Sequence, residues 1–432
     1  MLSVTYKFGD HVIGGPDAKP EFSTLTWISM LFSAGLGTGL LYCGAYEPMS
    51  HFLSAPHIQN LPENARFIKS LEITFFHWGA PAWFIYSSTG LIFAVTSFSF
   101  KKNFQFAELI DAKYKLLRTV VNILAIVSIL IGVVTTFAMA ARQINAGLNI
   151  LFPNLINISI LNSSFIIAFI TVLATLSVLS GLTKGIKTLS QLNVFLVLLL
   201  FFFMLFHVHI GHLINLFIEV SGMHINNFIS SLTYTGSLGE KKWIESWTML
   251  YWGWWATWAP FVGLFIARIS KGRTIKEFFF GTVFVPSVIC FIWFTLFGFL
   301  GFKFQMEGKI DFANLLDGEA YYSMFAVLEQ SSLPFLSSLL AVVCVTIFYV
   351  TSSDSGSYVV DMIASGGKKS PHSYLKVFWS VTEGVLAFVL FYFGGVLVIQ
   401  NLVVLLSLPT LLYICFGIYK INKELSNRSE SP

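Results

Sequence analysis

Residues 247–273 read WTMLYWGWWATWAPFVGLFIARISKGR, and this stretch decides the fold. Trp247, Trp252, Trp254, Trp255 and Trp258 crowd together with Tyr251, interrupted by Gly253 and followed by Pro260. Arg268, Lys271, Arg273 and Lys276 close the run. A plain membrane helix needs Leu, Ile or Val rather than so many rings. Tryptophan is a belt residue at headgroup level, so belt and packing are the plain alternative. Trp252, Trp255 and Trp258 are three apart and fall along one helical face. Aromatic faces converging on one point, with no acid among them, suit a quaternary ammonium ligand. The stretch therefore reads as a cation-binding aromatic box ahead of belt packing. Gly253 and Pro260 permit a broken helix in mid-span.

Working outward, 55% of the 432 residues are hydrophobic, 45 are Phe and only 11% are charged. A soluble protein carries about 25% charged residues, so the chain is a polytopic membrane protein. Residues 1–20 are polar, so the first apolar run is a working span and not a cleavable signal. Apolar runs of spanning length fall at about 22–46, 70–97, 119–141, 161–181, 192–216, 247–267, 278–301, 334–360, 374–396 and 399–419. With the N-terminus inside, 19 Lys and Arg residues lie on inner loops and 7 on outer ones. That bias fits ten spans with both termini in the cytoplasm. It also removes nucleic acid as a partner, because no basic cluster lies on a soluble domain. Cys43, Cys290, Cys344 and Cys415 sit in apolar runs without metal spacing and read as packing residues. No Walker motif, GxSxG, HExxH or carboxylate pair occurs, so neither ATP drive nor an enzyme is indicated.

The chain divides into a lead (1–21), a first set of five helices (22–216), an outer connecting segment (217–246), a second set of five (247–419) and a short tail (420–432). The connecting segment reads as an amphipathic interfacial helix over 224–246 or as a plain loop. Span one carries AGLGTG (34–39) and then Glu47-Pro48; span six carries Gly253 and Pro260. Breaks at the head of two five-span halves point to an inverted-repeat transporter with its site near the midplane, and favour a carrier over an open pore.

Three constellations carry the remaining chemistry. Gly35, Gly37 and Gly39, with Ser33 and Thr38, either unwind span one around an alkali cation or let a neighbouring helix pack closely. In span eight, FYVTSSDSGSYVVD (348–361) either offers Thr351 and Ser352 as oxygen ligands for sodium, the favoured reading, or forms a helix–helix hydrogen-bond seam near the cytoplasmic end. Asp354 reads as structural, facing water or Arg268. In span two, Trp78, Trp83 and Tyr86 either close the aromatic box from the side opposite span six or pack as ordinary membrane rings. His77 reads as a hydrogen-bonded histidine, since no second metal ligand is spaced to help it. Glu47 caps a half-helix or enters a buried pair, because an uncompensated buried carboxylate is costly.

Together with the tryptophan run, AGLGTGLLYCGAYEP, HWGAPAWFIY, LSGLTKGIKTLSQLN and FYVTSSDSGSYVVDM resemble, in order, the betaine/carnitine/choline transporter family. The resemblance covers nearly the whole chain. It implies an all-α polytopic membrane protein with the sodium-coupled symporter (LeuT-like) fold of two inverted five-helix repeats. It places Trp252, Trp254, Trp255 and Trp258 in the substrate box and Trp78, Trp83 and Tyr86 along the permeation path. It sets the backbone of Ser33 and Leu36 on one side of a sodium ion and Phe348, Thr351 and Ser352 on the other. That sodium is transported and is not a fixed cofactor. Gly39 stands where many choline-type members carry Asp, which argues against choline. A homotrimer in the bacterial inner (cytoplasmic) membrane is a further implication. The chain departs from the family in opening just ahead of its usual third helix, in Leu36 for Met, in Cys43 for an aromatic, and in lacking long charged tails. The expected function is sodium-coupled uptake of glycine betaine or a related quaternary ammonium compatible solute. The alternative is a sodium-independent exchanger of carnitine-type compounds. A non-transporting osmolyte receptor is disfavoured, because the short termini offer no output domain.

Overall fold

The structure is a computed structural model that describes residues 1–36, 38–180, 187–237, 239–367 and 373–429. Gly37, Lys184, Lys368, Lys369 and the 181–186 part of the LSGLTKGIKTLSQLN motif lie outside the described residues. The chain is all-helical, its β-structure among the described residues being one isolated bridge between Val12 and Thr274.

The lead forms α1 (Leu2–Phe8) and then pairs with the loop at 270–276. Ile13 donates to the Arg273 carbonyl, and Gly272 donates to that of Ile13, both at 2.9 Å. Span one is α2 (Thr24–Leu36) and α3 (Gly39–Ser54), which meet at a 59° bend. Span two is α4 (Glu63–Trp78) and α5 (Ala80–Ala94). Gly79 between them is extended, and Pro81 opens α5 where its missing N–H is harmless. Then come α6 (Lys115–Leu151), α7 (Ile160–Ser180), α8 (Lys187–Leu205) and α9 (Ile210–Thr233). The second half holds α10 (Lys241–Ile244), α11 (Leu250–Ile269), α12 (Ile275–Phe279) and α13 (Val285–Met306). It continues with α14 (Phe312–Leu316), α15 (Ser323–Glu329), α16 (Pro334–Ala364), α17 (Ser373–Val389) and α18 (Gly395–Ser429). Local signals set these ends. Thr274 and Glu277 form a reciprocal capping box on α12, and Pro334 opens α16.

Eight helices among the described residues are long and apolar enough to cross a membrane, and the bent pair α2–α3 makes a ninth. The tenth expected span, α11, falls outside that set because indole and phenol rings rank low in hydropathy. It is nonetheless a 20-residue helix buried at the centre, packed on α5, α6 and α18. The outer helices α7, α8 and α17 expose Phe165, Phe169, Leu176, Phe195 and Phe378, as a bilayer-facing surface requires. The chain is a multi-pass membrane protein.

Three boundaries differ from the sequence expectation. Span five ends at Leu205 rather than at residue 216, and the connecting segment is a continuous helix from Ile210. Leu213, Leu216, Val220 and His224 form a buried stripe on α9 that packs on α4 and α13. Their three- and four-residue spacing makes this a half-buried helix, where a simple apolar run suggests a membrane span. Span two is interrupted at Gly79. Span six is not interrupted, since α11 runs unbroken through Gly253 and Pro260. Gly253 serves close packing instead: a Cβ there would stand 3.3 Å from Val404 Cα. Four residues on, Thr257 Oγ1 donates to the Val403 carbonyl at 2.8 Å.

Candidate functional site

At about 100° per residue, Tyr251, Trp254, Trp255 and Trp258 share a stripe about 100° wide on α11. That stripe faces the bend between α2 and α3. Trp254, Trp255 and Trp258, with Gly35, Leu36, Gly39, Trp78, Tyr86 and Thr136, enclose a cavity of about 20 Å³. The rings meet edge to face: Trp78 and Trp255 at 5.4 Å and 89°, Tyr86 and Trp255 at 5.1 Å and 68°. Trp83 stands behind this layer, 5.7 Å from Tyr86 and 6.1 Å from Trp255. The glycines of span one make room for the rings. A Cβ on Gly35 would lie 2.8 Å from Trp83 Cη2, and one on Gly39 would lie 2.9 Å from Trp78 Cη2. Close packing and the helix break thus occur in the same motif.

Trp252 is the exception among the expected box residues. It lies about 120° around the helix from Trp258 and contacts Phe76 at 5.2 Å and His77 at 6.2 Å. A spacing of three carries each residue about 60° around the helix. Three residues so spaced drift off one face, whereas the 251, 254, 255, 258 pattern stays on it.

The indoles divide into anchored and unanchored groups. Trp78 Nε1 donates to Glu47 Oε2 at 2.6 Å, Trp83 Nε1 to the Trp78 carbonyl at 3.2 Å, and Trp255 Nε1 to the His77 carbonyl at 3.1 Å. Trp254 Nε1 and Trp258 Nε1 are buried without a hydrogen-bond partner. Buried donors of this kind are costly unless a ligand meets them.

Above the cavity, Trp254 also lines an open vestibule of about 460 Å³, together with Tyr42, Cys43, Tyr46, Arg142, Trp247, Tyr251 and Tyr321. Trp254 is therefore the ring between vestibule and cavity. Cys43 does open onto this path. Sequence spacing did not point to the Glu47 hub beside it. Glu47 Oε1 accepts from His77 Nδ1 at 2.8 Å and His51 Nε2 at 3.4 Å, while Oε2 accepts from Trp78 and the Tyr251 hydroxyl. The buried pair expected of Glu47 is thus a hub of four partners, since a carboxylate inside a span demands them.

At the bend, Ser33 and Leu36 lie in the last described turn of α2. This end of α2 packs on α16, with Phe32 and Phe348 rings 6.2 Å apart. Thr351 Oγ1 turns back on the carbonyls of Ile347 and Phe348, both at 3.0 Å, which leaves its lone pairs free to face a cation. Ser352 Oγ is fully buried and has no partner. Ser33 Oγ reaches the Ser190 carbonyl at 3.5 Å. The residue types are the oxygen donors a hard monovalent cation takes. Asp354 faces neither water nor Arg268: it is buried and accepts from the Ser177 hydroxyl of α7, while Arg268 pairs with Glu21 at 2.8 Å.

Comparison with known proteins extends over nearly the whole chain. Residues 1–430 match the sequence profile described as BCCT, betaine/carnitine/choline family transporter. The glycine betaine transporter OpuD of Bacillus subtilis is 38% identical over 426 residues, covering 96% of this chain and 81% of its own length. A glycine betaine/proline/choline/ectoine transporter of Vibrio parahaemolyticus is 35% identical, covering 96% of this chain and 76% of its own. A glycine betaine transporter of Acinetobacter baylyi is 35% identical over 94% of this chain and 62% of its own length.

Proposed function

The chain belongs to the betaine/carnitine/choline transporter family, and from that premise we propose that it takes up glycine betaine or a closely related zwitterionic quaternary ammonium solute by alternating access, driven by sodium. As a family member it is a membrane transporter and not an enzyme. The family's two-repeat sodium-symporter fold accounts for its all-helical, multi-pass architecture.

One observation carries the choice of substrate. Aromatic faces surround a cavity lined by Trp254 and Trp258, whose indole N–H groups are buried without a partner. The faces suit a trimethylammonium head, each contact contributing about 0.5–2 kcal/mol. The two N–H groups suit a carboxylate on the same molecule. Choline has the head without the carboxylate and leaves those donors unmet. Arg142 in the vestibule attracts the same carboxylate on its way in. The named betaine transporters among the relatives point the same way.

A cavity of about 20 Å³ holds no more than a water molecule. Substrate therefore enters as Trp254 swings out of the way and the rings part around it. Sodium sits at the α2 end, held by the carbonyls of Ser33 and Leu36 and by Phe348, Thr351 and Ser352 of α16. Its differential affinity for one arrangement of α2 against α16 is what couples the two fluxes. The distribution of Lys and Arg supports an orientation with both termini in the cytoplasm and the vestibule outside.

Equilibrium binding of radiolabelled glycine betaine to the full chain in detergent tests the substrate assignment. We expect saturable, sodium-dependent binding that choline displaces poorly and that Trp255→Leu or Trp258→Leu abolishes in a folded protein. Binding unchanged by both substitutions sinks the box assignment.

A further inference from the structure

Glu47 gives its two oxygens different work. Oε2 is held by Trp78 Nε1 and the Tyr251 hydroxyl. Oε1 faces two imidazoles, His77 Nδ1 at 2.8 Å and His51 Nε2 at 3.4 Å. His51 lies one turn after Glu47 on the same face of α3, and His77 arrives from the last turn of α4. Ligand atoms of the three residues all lie within 4.8 Å of one another, and the three side chains are fully buried.

We propose that Glu47, His51 and His77 form a binding site for a divalent transition-metal ion of the zinc class, and that the bound ion ties α3 to α4 beside the vestibule. Two imidazole nitrogens and one carboxylate oxygen are a zinc donor set, with a fourth position left for water. Sodium, magnesium and calcium take oxygen ligands and are not suited to it. The spacing agrees. Two ligands at about 2.0–2.1 Å from a tetrahedral ion stand about 3.3 Å apart. The 3.4 Å between His51 and Glu47 is long for a hydrogen bond between ionic partners and ordinary for two ligands of one ion. The His77 contact has to open by about half an ångström to match.

Surrounding groups prepare two of the three ligands, Glu47 and His77. Trp78 and Tyr251 fix the carboxylate from its far oxygen, leaving Oε1 to the ion. His77 Nε2 lies 3.2 Å from Thr248 Oγ1. When Nδ1 binds the ion, the imidazole proton moves to Nε2 and is donated to that hydroxyl, so ligation leaves no new unmet donor on His77. His51 Nδ1 is buried without a partner, and its ring rests 4.4 Å from that of Trp247. Trp247 and Tyr251 stand between the site and the vestibule, and His77 and Thr248 line a second recess of about 150 Å³ on its other side.

Binding does not depend on the transport reading; its effect on uptake does. An ion fixed to Glu47 restrains the group that positions Trp78 and Tyr251, and so slows the ring movements that admit substrate. The test is a zinc titration of the purified full chain against a competing chromophoric chelator near neutral pH. We expect one ion per chain, with His51→Gln and His77→Gln each weakening affinity about 10-fold or more. Glutamine still donates to Glu47, so the fold survives, which a melting curve on the same samples records. His212→Gln, on the exposed face of α9, keeps wild-type affinity. Absence of saturable zinc binding, or equal affinity in wild type and both site variants, overturns the site. In vesicles, zinc slows wild-type uptake and spares His51→Gln; zinc binding that leaves uptake untouched overturns the tie between α3 and α4. A chain that binds zinc yet carries no solute under any condition refutes the transport reading alone.

Discussion

Replacing Glu47 should damage the substrate box before it damages the spans. Four donors converge on its carboxylate, from His77, His51, Trp78 and Tyr251, all of them buried. Alanine removes every acceptor at once. His77 escapes by moving its proton toward Thr248, and the Tyr251 hydroxyl by turning to Cys43 Sγ at 3.5 Å. Trp78 Nε1–H has no such alternative in the structure, and an unmet buried donor costs about 1–3 kcal/mol. Adding the partial losses of the other three gives about 4 kcal/mol for Glu47→Ala. Glutamine keeps an acceptor for Trp78 and Tyr251 and offers its amide to the histidines, turning ionic hydrogen bonds into neutral ones. At about 1 kcal/mol lost on each of two bonds, Glu47→Gln costs about 2 kcal/mol. Because Trp78 lines the cavity, betaine affinity should fall in the same order as stability: wild type, then Gln, then Ala. Thermal melting and betaine binding on the three purified proteins measure both. Wild-type melting and affinity in Glu47→Ala refute the hub.

Four further outcomes follow from the geometry. Trp254→Phe and Trp258→Phe keep an aromatic face, though a smaller one, and delete the N–H, so each should weaken glycine betaine about 10-fold, the equivalent of a hydrogen bond to a charged group, and weaken choline displacement less; a parallel loss for both ligands contradicts the carboxylate role. Gly39→Ala pushes a methyl to 2.9 Å from Trp78, whose other end is held by Glu47, and should cost about 1–3 kcal/mol in melting and reduce binding. Ser352→Ala should raise the sodium concentration needed for half-maximal uptake without changing affinity at saturating sodium; an unchanged sodium curve removes Ser352 from the ion site. The fourth concerns pH. Burial between Phe75 and Phe291 lowers His224 of α9 from 6.5 to about 4. The folded state therefore resists a proton that the unfolded state takes up below 6.5, so stability is intact at pH 7 and lost on acidification. At pH 5 the loss is about 2 kcal/mol. His224→Phe should flatten that decline, and an identical acid limb in both proteins argues against it.

The parts of the molecule legible in the sequence are those with local causes. Span lengths follow from runs of apolar residues, and the bend of span one follows from three glycines within five positions. Trp254, Trp255 and Trp258 come together because three- and four-residue spacings put them on one helical stripe. Trp252 was misplaced because an even three-residue spacing drifts around a helix. The expected break in α11 failed because Gly253 is there for the approach of α18, a tertiary fact. The Glu47 hub was hidden for the same reason. His77 lies 30 positions from Glu47 and Tyr251 lies 204, so no local window contains the cluster. Likewise Asp354 finds Ser177 only when α7 packs against α16.

The most direct test of the central claim is uptake of radiolabelled glycine betaine into proteoliposomes holding the purified chain, with and without an inward sodium gradient. The account predicts accumulation above the external concentration with the gradient and its loss when potassium replaces sodium. Equal uptake in both salts, by a folded protein, contradicts sodium coupling and makes the chain an exchanger or facilitator.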